Sequence, residues 1–171
     1  MLQLRNGFYA FESALHVFPF EDCGPETGLR RWNSAELWRY EYKSLLEGHF
    51  FFAEDVFGGQ FSIRDDHIWM VDPETGDASA IADSLEGWAQ KLVDDGRVLT
   101  GWPLGHEWQM KHGPIPIGRR LMPGRLFVLG GEFEVDNLAA VEATQAMRLR
   151  GSIAVQLHEV PDKTQVRLTF E

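Results

Sequence analysis

Residues 50–63 read FFFAEDVFGGQFSI and set Glu54, Asp55, Gly58 and Gly59 among seven large apolar side chains. Two interpretations are open at the outset. The carboxylates could form an acid–base pair in a catalytic cleft, or they could mark the place where one buried strand ends and a second begins. Adjacent strand residues point to opposite faces of a sheet, so the pair could serve one substrate only if a bulge re-aimed one of them. The pattern favours two strands shaped by the glycine pair, and we expect neither carboxylate to do chemistry.

The residues that follow predict a meander of short antiparallel strands. Between residues 60 and 71, apolar side chains alternate with polar ones, which is the period of a half-buried strand: Phe61, Ile63, Ile68 and Met70. Asp65-Asp66 predicts a tight turn within this run, because Asp tolerates the left-handed backbone of such turns. Residues 72–77, DPETGD, predict a second turn built on Pro73 and Gly76.

Helical spacing and capping residues predict four helices around these strands. They cover residues 33–48, entered by Asn33 or Ser34; 84–96, capped by Ser84; 101–113, with Pro103 in the first turn; and 138–147 by composition. We expect a connection at 113–124, two strands around a Gly-Gly bend at 125–137, and a closing strand at 165–170. Residues 1–18 fit either a helix or a strand. Such an irregular order of elements is typical of one α+β domain, here residues 1–171.

Length and composition set bounds on the class of protein. A chain of 171 residues with 44% hydrophobic residues has enough apolar material for one core. Arg5 and Glu12 interrupt the N-terminal stretch too early for a signal peptide, and no segment has the roughly 18 apolar residues of a membrane span. Cys23 is the single cysteine, which excludes an internal disulfide and a thiolate zinc cluster. We expect a soluble, cytoplasmic protein without a membrane partner.

The charge distribution bears on the partner. A net charge of −10 argues against nucleic acid, because phosphate neutralisation needs a basic surface. Residues 49–96 hold eleven Asp or Glu against Arg64 and Lys91, whereas residues 97–131 are net basic. Such an acidic segment is either an ordinary solvated surface or a face that steers a basic protein. We expect most of the six tryptophans in the core, with any exposed ones available as anchors for a partner.

The sequence contains no recognisable motif for a catalytic, cofactor-binding or metal site. His106 and His112 lie six residues apart, about 240° around a helix, whereas a zinc helix needs histidines four apart on one face. No phosphate-binding glycine motif and no serine elbow is present. The sequence therefore predicts no catalytic residue, no cofactor-binding residue and no metal ligand. An enzyme remains open only if distant residues assemble a site, for example Glu54 with His106 or Glu107.

Three motifs in the central segment point to a known family. They are AEDVFGGQF at 53–61, DPETG at 72–76 and IADSLEGW at 81–88. Together they resemble the SMI1/KNR4 family of the SUKH superfamily, over about residues 50–100. The family's usual N-terminal signature is absent, and WNSAELWRYEY at 32–42 stands where a related helix is expected. The resemblance implies one SMI1/KNR4-like domain over residues 1–171, although the motifs that carry it lie outside residues 1–48.

The resemblance implies an α+β fold with a mixed or antiparallel sheet flanked by helices, and a binding role without catalysis. Bacterial members are largely immunity proteins that block a cognate toxin, often a nuclease, and fungal members are regulatory scaffolds. We therefore expect a basic protein partner, and we expect the acidic loops to contact it through Asp65, Asp66, Glu74 and Asp77. The alternatives are a scaffold of the same fold without a toxin, or an enzyme with an acidic site.

Overall fold

Six consecutive strands form an antiparallel sheet in which each strand pairs with its neighbour in sequence. The computed structural model describes residues 6–158 and 160. The strands are β1 (Phe8–Ala10), β2 (Leu15–Val17), β3 (Phe50–Asp55), β4 (Gln60–Arg64), β5 (His67–Val71) and β6 (Ala78–Ala82). The predicted meander from residue 50 onward is therefore confirmed, and the open choice for residues 1–18 is settled in favour of strands over the described part.

The turns of the meander lie where the sequence predicts them. Asp65 and Asp66 have φ of 49° and 59° and join β4 to β5, with Arg64 paired to His67 across the turn. Residues 72–77 join β5 to β6 and are closed by the Gly76 amide, which donates to the Asp72 carbonyl at 2.8 Å. Both hairpins thus follow from residues that tolerate turn geometry.

The prediction of a helix over residues 33–48 is wrong. A short helix α1 (Leu29–Trp32) precedes this segment, and one 3-10 turn, Arg39–Tyr42, lies inside it. The Asn33 side chain accepts the Phe51 amide and donates to the Leu29 and Phe51 carbonyls, so it ties α1 to β3 instead of starting a new helix. The Arg39 guanidinium binds the Leu46 and His49 carbonyls. In this segment, hydrogen bonds from side chains to the backbone have taken the place of the predicted helix.

Two longer helices follow the sheet. Helix α2 (Leu85–Leu99) begins at the predicted cap, where the Ser84 hydroxyl accepts the Gly87 amide at 3.0 Å. It has a kink at Asp95, where φ is −129°, and then continues three residues beyond Gly96, at which the sequence predicts its end. A Cβ at Gly96 would meet the Phe11 ring at 2.8 Å, so this glycine provides space for packing. Helix α3 (Trp102–His112) forms as predicted, with a proline in its first turn.

The region after α3 departs most from the predictions. Strand β7 (Arg119–Pro123) lies in the predicted connection, and β8 (Leu138–Glu142) lies in the predicted helix; the two pair as a second, two-stranded sheet. Helix α4 (Ala143–His158) starts only after Glu142, whose carboxylate accepts the Thr144 and Gln145 amides. Pairing with β7 has overridden the helical composition of 138–142.

Residues 125–137 form a closed loop instead of the two predicted strands. The Asn137 side chain bonds both the amide and the carbonyl of Arg125, and also the Glu132 carbonyl. Two 3-10 turns, Phe127–Leu129 and Val135–Asn137, complete the loop. The strand predicted at 165–170 lies outside the described residues.

The main core lies between the sheet and its helices, and it contains three of the six tryptophans. Trp32, Trp38 and Trp88 are buried in it with Phe51 and Phe61. A second, smaller cluster with Trp108 and Leu121 lies under α3 and the two-stranded sheet. The architecture is α+β in a single domain, as the sequence predicts. Within the described residues, no helix is both long and apolar enough to cross a membrane.

Candidate functional site

A cleft of about 450 Å³ opens where four separate segments meet. Its walls come from the β3–β4 turn, the β5–β6 turn, the loop 127–133 and helix α4. The lining includes five charged side chains, five apolar ones and two hydroxyl side chains: Asp55, Asp72, Glu74, Asp77 and Arg150; Phe57, Met70, Pro73, Phe127 and Phe133; and Thr75 and Ser79. Volumes of this size are typical of ligand sites.

Asp55 lies at the inner end of the cleft as the last residue of β3. Its Oδ1 atom accepts the Phe57 and Gly59 amides, each at 2.8 Å, and so fixes the turn into β4. Burial raises the pKa of Asp55 to about 7, although these two bonds and the Arg150 charge act in the opposite direction. A carboxyl group that titrates near neutral pH therefore faces the cleft.

The glycine pair creates the room beside Asp55. A Cβ at Gly58, where φ is +83°, would lie 2.9 Å from Nη1 of Arg150. A Cβ at Gly59 would lie 2.5 Å from Oδ2 of Asp55 and from the Met70 methyl group. Any side chain here would fill the inner end of the cleft, so the two glycines are part of the site as well as of the turn.

Arg150 is the cation of the cleft, and two of its guanidinium nitrogens lack partners among the described residues. Its side chain extends from α4 and is only 1% exposed. Nε and Nη1 are the two nitrogens, and both are buried. Burial lowers the pKa of Arg150, while the charges of Glu74, Asp55 and Asp72 act to raise it. A buried polar nitrogen without a hydrogen-bond partner costs about 1–3 kcal/mol, and more when it is charged.

Glu74 supplies an unpaired acceptor to the same cleft. It is 4% exposed, and its Oε2 atom accepts the Val128 amide at 2.9 Å, which holds the loop 127–133 against the β5–β6 turn. Oε1 is buried and accepts from no described residue. Burial raises the pKa of Glu74, partly offset by the Val128 amide.

Aromatic rings form the outer wall. Phe57 meets Phe127 edge to face at 5.7 Å between centroids, and Phe127 stacks on Phe133 at 3.9 Å. Phe133 is 67% exposed, so much of its ring is available for contact. The mouth of the cleft thus combines exposed apolar area with the exposed carboxylates of Asp72 and Asp77.

The four partner-binding residues predicted from the sequence fall into two places. Asp65 and Asp66 are exposed at the tip of the β4–β5 hairpin, whereas Glu74 and Asp77 line the cleft at the other end of β5. Strand geometry puts these two ends roughly 20 Å apart. The structure therefore joins Glu74 and Asp77 with Asp55 and Arg150, and it leaves Asp65 and Asp66 outside. Their role in binding stays a prediction.

Glu54 faces away from the cleft, as strand alternation predicts. Its Oε1 atom accepts Nε of the buried Arg120 at 2.8 Å and lies 3.1 Å from Nδ1 of His16. The assembly of Glu54 with His106 or Glu107 that the sequence left open does not form. The His106 ring binds Glu12 instead, at 2.7 Å, and Glu107 is exposed. Within residues 6–158 and 160, no group of three or more His, Cys, Asp or Glu could hold a metal ion.

Sequence reasoning missed the residues that come from the second half of the chain. Phe127, Phe133 and Arg150 reach the cleft only through tertiary packing. One signal for Arg150 was available, because it shares a helical face with the apolar Ala146, Met147, Ile153 and Ala154. A charged residue on such a face is a candidate for a buried role.

Comparisons with known proteins bear on the fold. No protein-family model matches the chain, and no curated protein does. The chain is similar to the crystal structure of Atu4351 from Agrobacterium tumefaciens, with a TM-score of 0.56 and 14% sequence identity; the match covers 88% of this chain and 72% of that one. At this identity the likeness supports the α+β fold alone, and membership of the SMI1/KNR4 family stays a prediction.

Proposed function

We propose that this chain is a non-enzymatic protein-binding domain that receives a basic segment of another protein in the cleft between the β5–β6 turn and helix α4. We further propose that it is a cytoplasmic immunity protein of the SMI1/KNR4 type, and that its partner is a toxin. One observation carries the proposal: among the described residues, four carboxylates and one guanidinium line a cleft that has an exposed aromatic wall.

The charge balance favours a cationic partner over an anionic one. Even with Asp55 protonated, Asp72, Glu74 and Asp77 outnumber Arg150. A positively charged surface would be steered toward such a cleft and would associate faster. The exposed ring of Phe133 supplies the apolar anchor that protein interfaces use for most of their binding energy.

The test is co-purification with the product of the adjacent gene, since an immunity gene sits beside its toxin gene. We expect a stable complex and protection of cells that express the toxin. Phe133→Ala should weaken the complex about thirtyfold, the loss of one anchor residue. Phe20→Ala is the matched control, because Phe20 is an exposed ring outside the cleft lining and is 52% exposed.

Equal affinity of the Phe133→Ala variant and the unchanged protein would contradict the cleft as the binding site. If a complex forms but cells need no protection from the partner, the scaffold alternative of the same fold is favoured over the immunity role.

A second candidate function is an acid–base enzyme, and Asp55 is the observation that favours it. A carboxyl group with a pKa near 7 in a cleft suits general acid–base catalysis. Asp55→Asn separates the two functions, because Asn keeps the oxygen that accepts the Phe57 and Gly59 amides. Toxin neutralisation by this variant at the level of the unchanged protein supports binding; its loss, with the complex still intact, supports catalysis.

A further inference from the structure

We infer that the inner end of the cleft recognises an uncharged amide group, such as a Gln or Asn side chain, carried by a segment with basic residues on either side. This inference rests on the proposed protein-binding function and names the chemistry of the segment that enters. It follows from two unpartnered buried groups and from the order of charges along the depth of the cleft.

The inner end lacks both an acceptor and a donor. Nε and Nη1 of Arg150 donate to no described residue, and Oε1 of Glu74 accepts from none, although both side chains are more than nine-tenths buried. Buried polar groups are normally hydrogen-bonded, and leaving one unpaired costs about 1–3 kcal/mol, more if it is charged. A group that offers a carbonyl oxygen to Arg150 and an N–H to Glu74 would satisfy both.

A carboxamide fits these requirements better than an ion does. A carboxylate would pair with Arg150 but would face Glu74, Asp55 and Asp72, which already act on that guanidinium. An ammonium or guanidinium group would pair with the carboxylates but would leave Arg150 without an acceptor and bring two cations together. An amide is neutral and supplies one acceptor and two donors.

The outer part of the cleft favours positively charged groups. Asp72 and Asp77 are exposed at the mouth, where Lys or Arg residues flanking the amide could reach them while their charges remain hydrated. The lining also includes Phe57, Met70 and Phe127, whose apolar surfaces suit the methylene groups of a Gln side chain. The segment therefore carries a basic residue, then a residue with an amide side chain, and then a second basic residue.

The experiment is a titration of the full chain, labelled with ¹⁵N, against three capped peptides: acetyl-Lys-Gln-Lys-amide, acetyl-Lys-Leu-Lys-amide and acetyl-Lys-Glu-Lys-amide. We expect the Gln peptide to bind at least about tenfold more tightly than either of the others, because only Gln satisfies both unpaired groups. The amide signals of Gly58, Gly59 and Val128 should shift, since these groups surround Asp55, Arg150 and Glu74.

Equal binding of the Gln and Leu peptides would overturn the inference, as would tighter binding of the Glu peptide or no binding of any peptide at about 10 mM, a concentration that detects even millimolar affinity. Arg150→Met should reduce the affinity for the Gln peptide to that for the Leu peptide. Since this variant changes a buried residue, Asp77→Asn is the second variant: it should weaken all three peptides to a similar degree, whereas Asp83→Asn, at a side chain 96% exposed elsewhere, should not.

Failure of this inference is distinguishable from failure of the proposed function. If the three peptides bind alike but Phe133→Ala still weakens the complex with the whole partner, only the amide specificity is wrong. If Phe133→Ala leaves that complex unchanged, the cleft is not the protein-binding site.

Discussion

Glu54 and Asp55 are adjacent carboxylates that the protein uses in opposite ways. Burial acts to raise the pKa of Glu54, but the Arg120 charge and the His16 contact outweigh it and hold the pKa below its usual range. Asp55 lies on the other face of β3 without such a pair, and burial raises its pKa to about 7. One peptide unit therefore separates a structural ion pair from a group that titrates near physiological pH.

The titration of Asp55 makes a testable contribution to stability. A carboxyl group whose folded pKa exceeds its unfolded value of 3.8 destabilises the fold progressively as the pH rises from about 4 to about 7. Asp55→Asn removes this effect and keeps the acceptor oxygen. We expect the variant, relative to the unchanged protein, to gain on the order of 2–4 kcal/mol of unfolding free energy between about pH 4 and pH 8, measured by urea denaturation.

His49 acts in the opposite direction over much of the same range. Burial and the nearby Arg64 and Arg39 lower its pKa from 6.5 to about 4, so its contribution to stability is lost as the pH falls from 6.5 to about 4. Because the two contributions oppose each other, stability should rise more steeply between about pH 4 and pH 7 in the Asp55→Asn variant than in the unchanged protein. Parallel profiles for the two proteins would contradict the assignment; Asp83→Asn, at an exposed carboxylate, is the control.

The Glu54–Arg120 pair should be costly to break. Arg120 is 1% exposed, donates to Glu54 and the Ser13 carbonyl, and lies over the Tyr9 ring at 5.3 Å. Arg120→Met leaves Glu54 buried without its guanidinium, and we expect a loss of about 3–5 kcal/mol in urea denaturation near neutral pH.

The neighbouring arginine provides the control for that experiment. Arg119 is exposed and donates to the Ala140 carbonyl, so Arg119→Met should cost less than about 1 kcal/mol. Similar losses of unfolding free energy for the two variants would mean that the buried ion pair stabilises the fold no more than the exposed Arg119 does.

At the scale of elements, the turn between β3 and β4 couples the sheet to helix α4. Its Asp55 carboxylate accepts two turn amides, and its Gly58 leaves space for Arg150 of the helix. The turn is thus shaped by contacts from both sides. A substitution here tests packing as well as backbone conformation.

Gly58→Ala should cost more than a positive φ alone explains. Gly24 provides the comparison, because it has φ of +59° and a Cβ added to it would meet nothing within 4 Å. We expect about 1–2 kcal/mol for Gly24→Ala from the left-handed backbone, and at least about 1 kcal/mol more for Gly58→Ala from the clash with Arg150. Thermal or urea unfolding measures both. Equal losses would mean that Arg150 moves aside without cost.

The elements that the sequence predicts well are those decided locally. Asp65-Asp66 and residues 72–77 contain the residues that their turns need, and Ser84 caps α2 as its position predicts. Residues 33–48 and 125–137 were mispredicted because Asn33 and Asn137 bond distant backbone groups, which no local pattern reveals. For 138–142, pairing with β7 decided the conformation.

At the scale of the whole molecule, the acidic residues have two separable effects on association. All of them contribute to the long-range field of a chain with a net charge of −10, but only those in the cleft would contact the partner directly. The tip of the β4–β5 hairpin and the mouth of the cleft lie at opposite ends of β5. Matched pairs of substitutions at these two places distinguish steering from contact.

Once the partner is identified, charge-reversal variants distinguish electrostatic steering from direct contact. Asp65→Lys with Asp66→Lys should slow association with a basic partner, more so at low salt, and leave dissociation unchanged. Asp72→Lys with Asp77→Lys should slow association similarly and speed dissociation about tenfold or more. Surface plasmon resonance at two salt concentrations measures both rates. Unchanged dissociation for the cleft pair would contradict the cleft as an interface.

The sequence predicted part of the candidate site and could not predict the rest. Glu74 and Asp77 stand in a recognisable turn. For Asp55 the sequence predicts only a structural role, because nothing nearby in sequence shows what its side chain faces. Arg150 and Phe133 reach the cleft only when α4 and the loop 127–133 pack on the sheet. A site assembled from four segments has no sequence motif of its own.

The order of the strands has a consequence for folding. Each strand of the six-stranded sheet pairs with its sequence neighbour, so hairpins such as β4–β5 close short loops and can form early. The cleft joins residue 55 to residue 150, a pairing of far longer range than any hairpin of the sheet. A chain released before α4 is complete would therefore lack Arg150 and the wall of the cleft that it lines, so ligand binding indicates that these long-range contacts have formed.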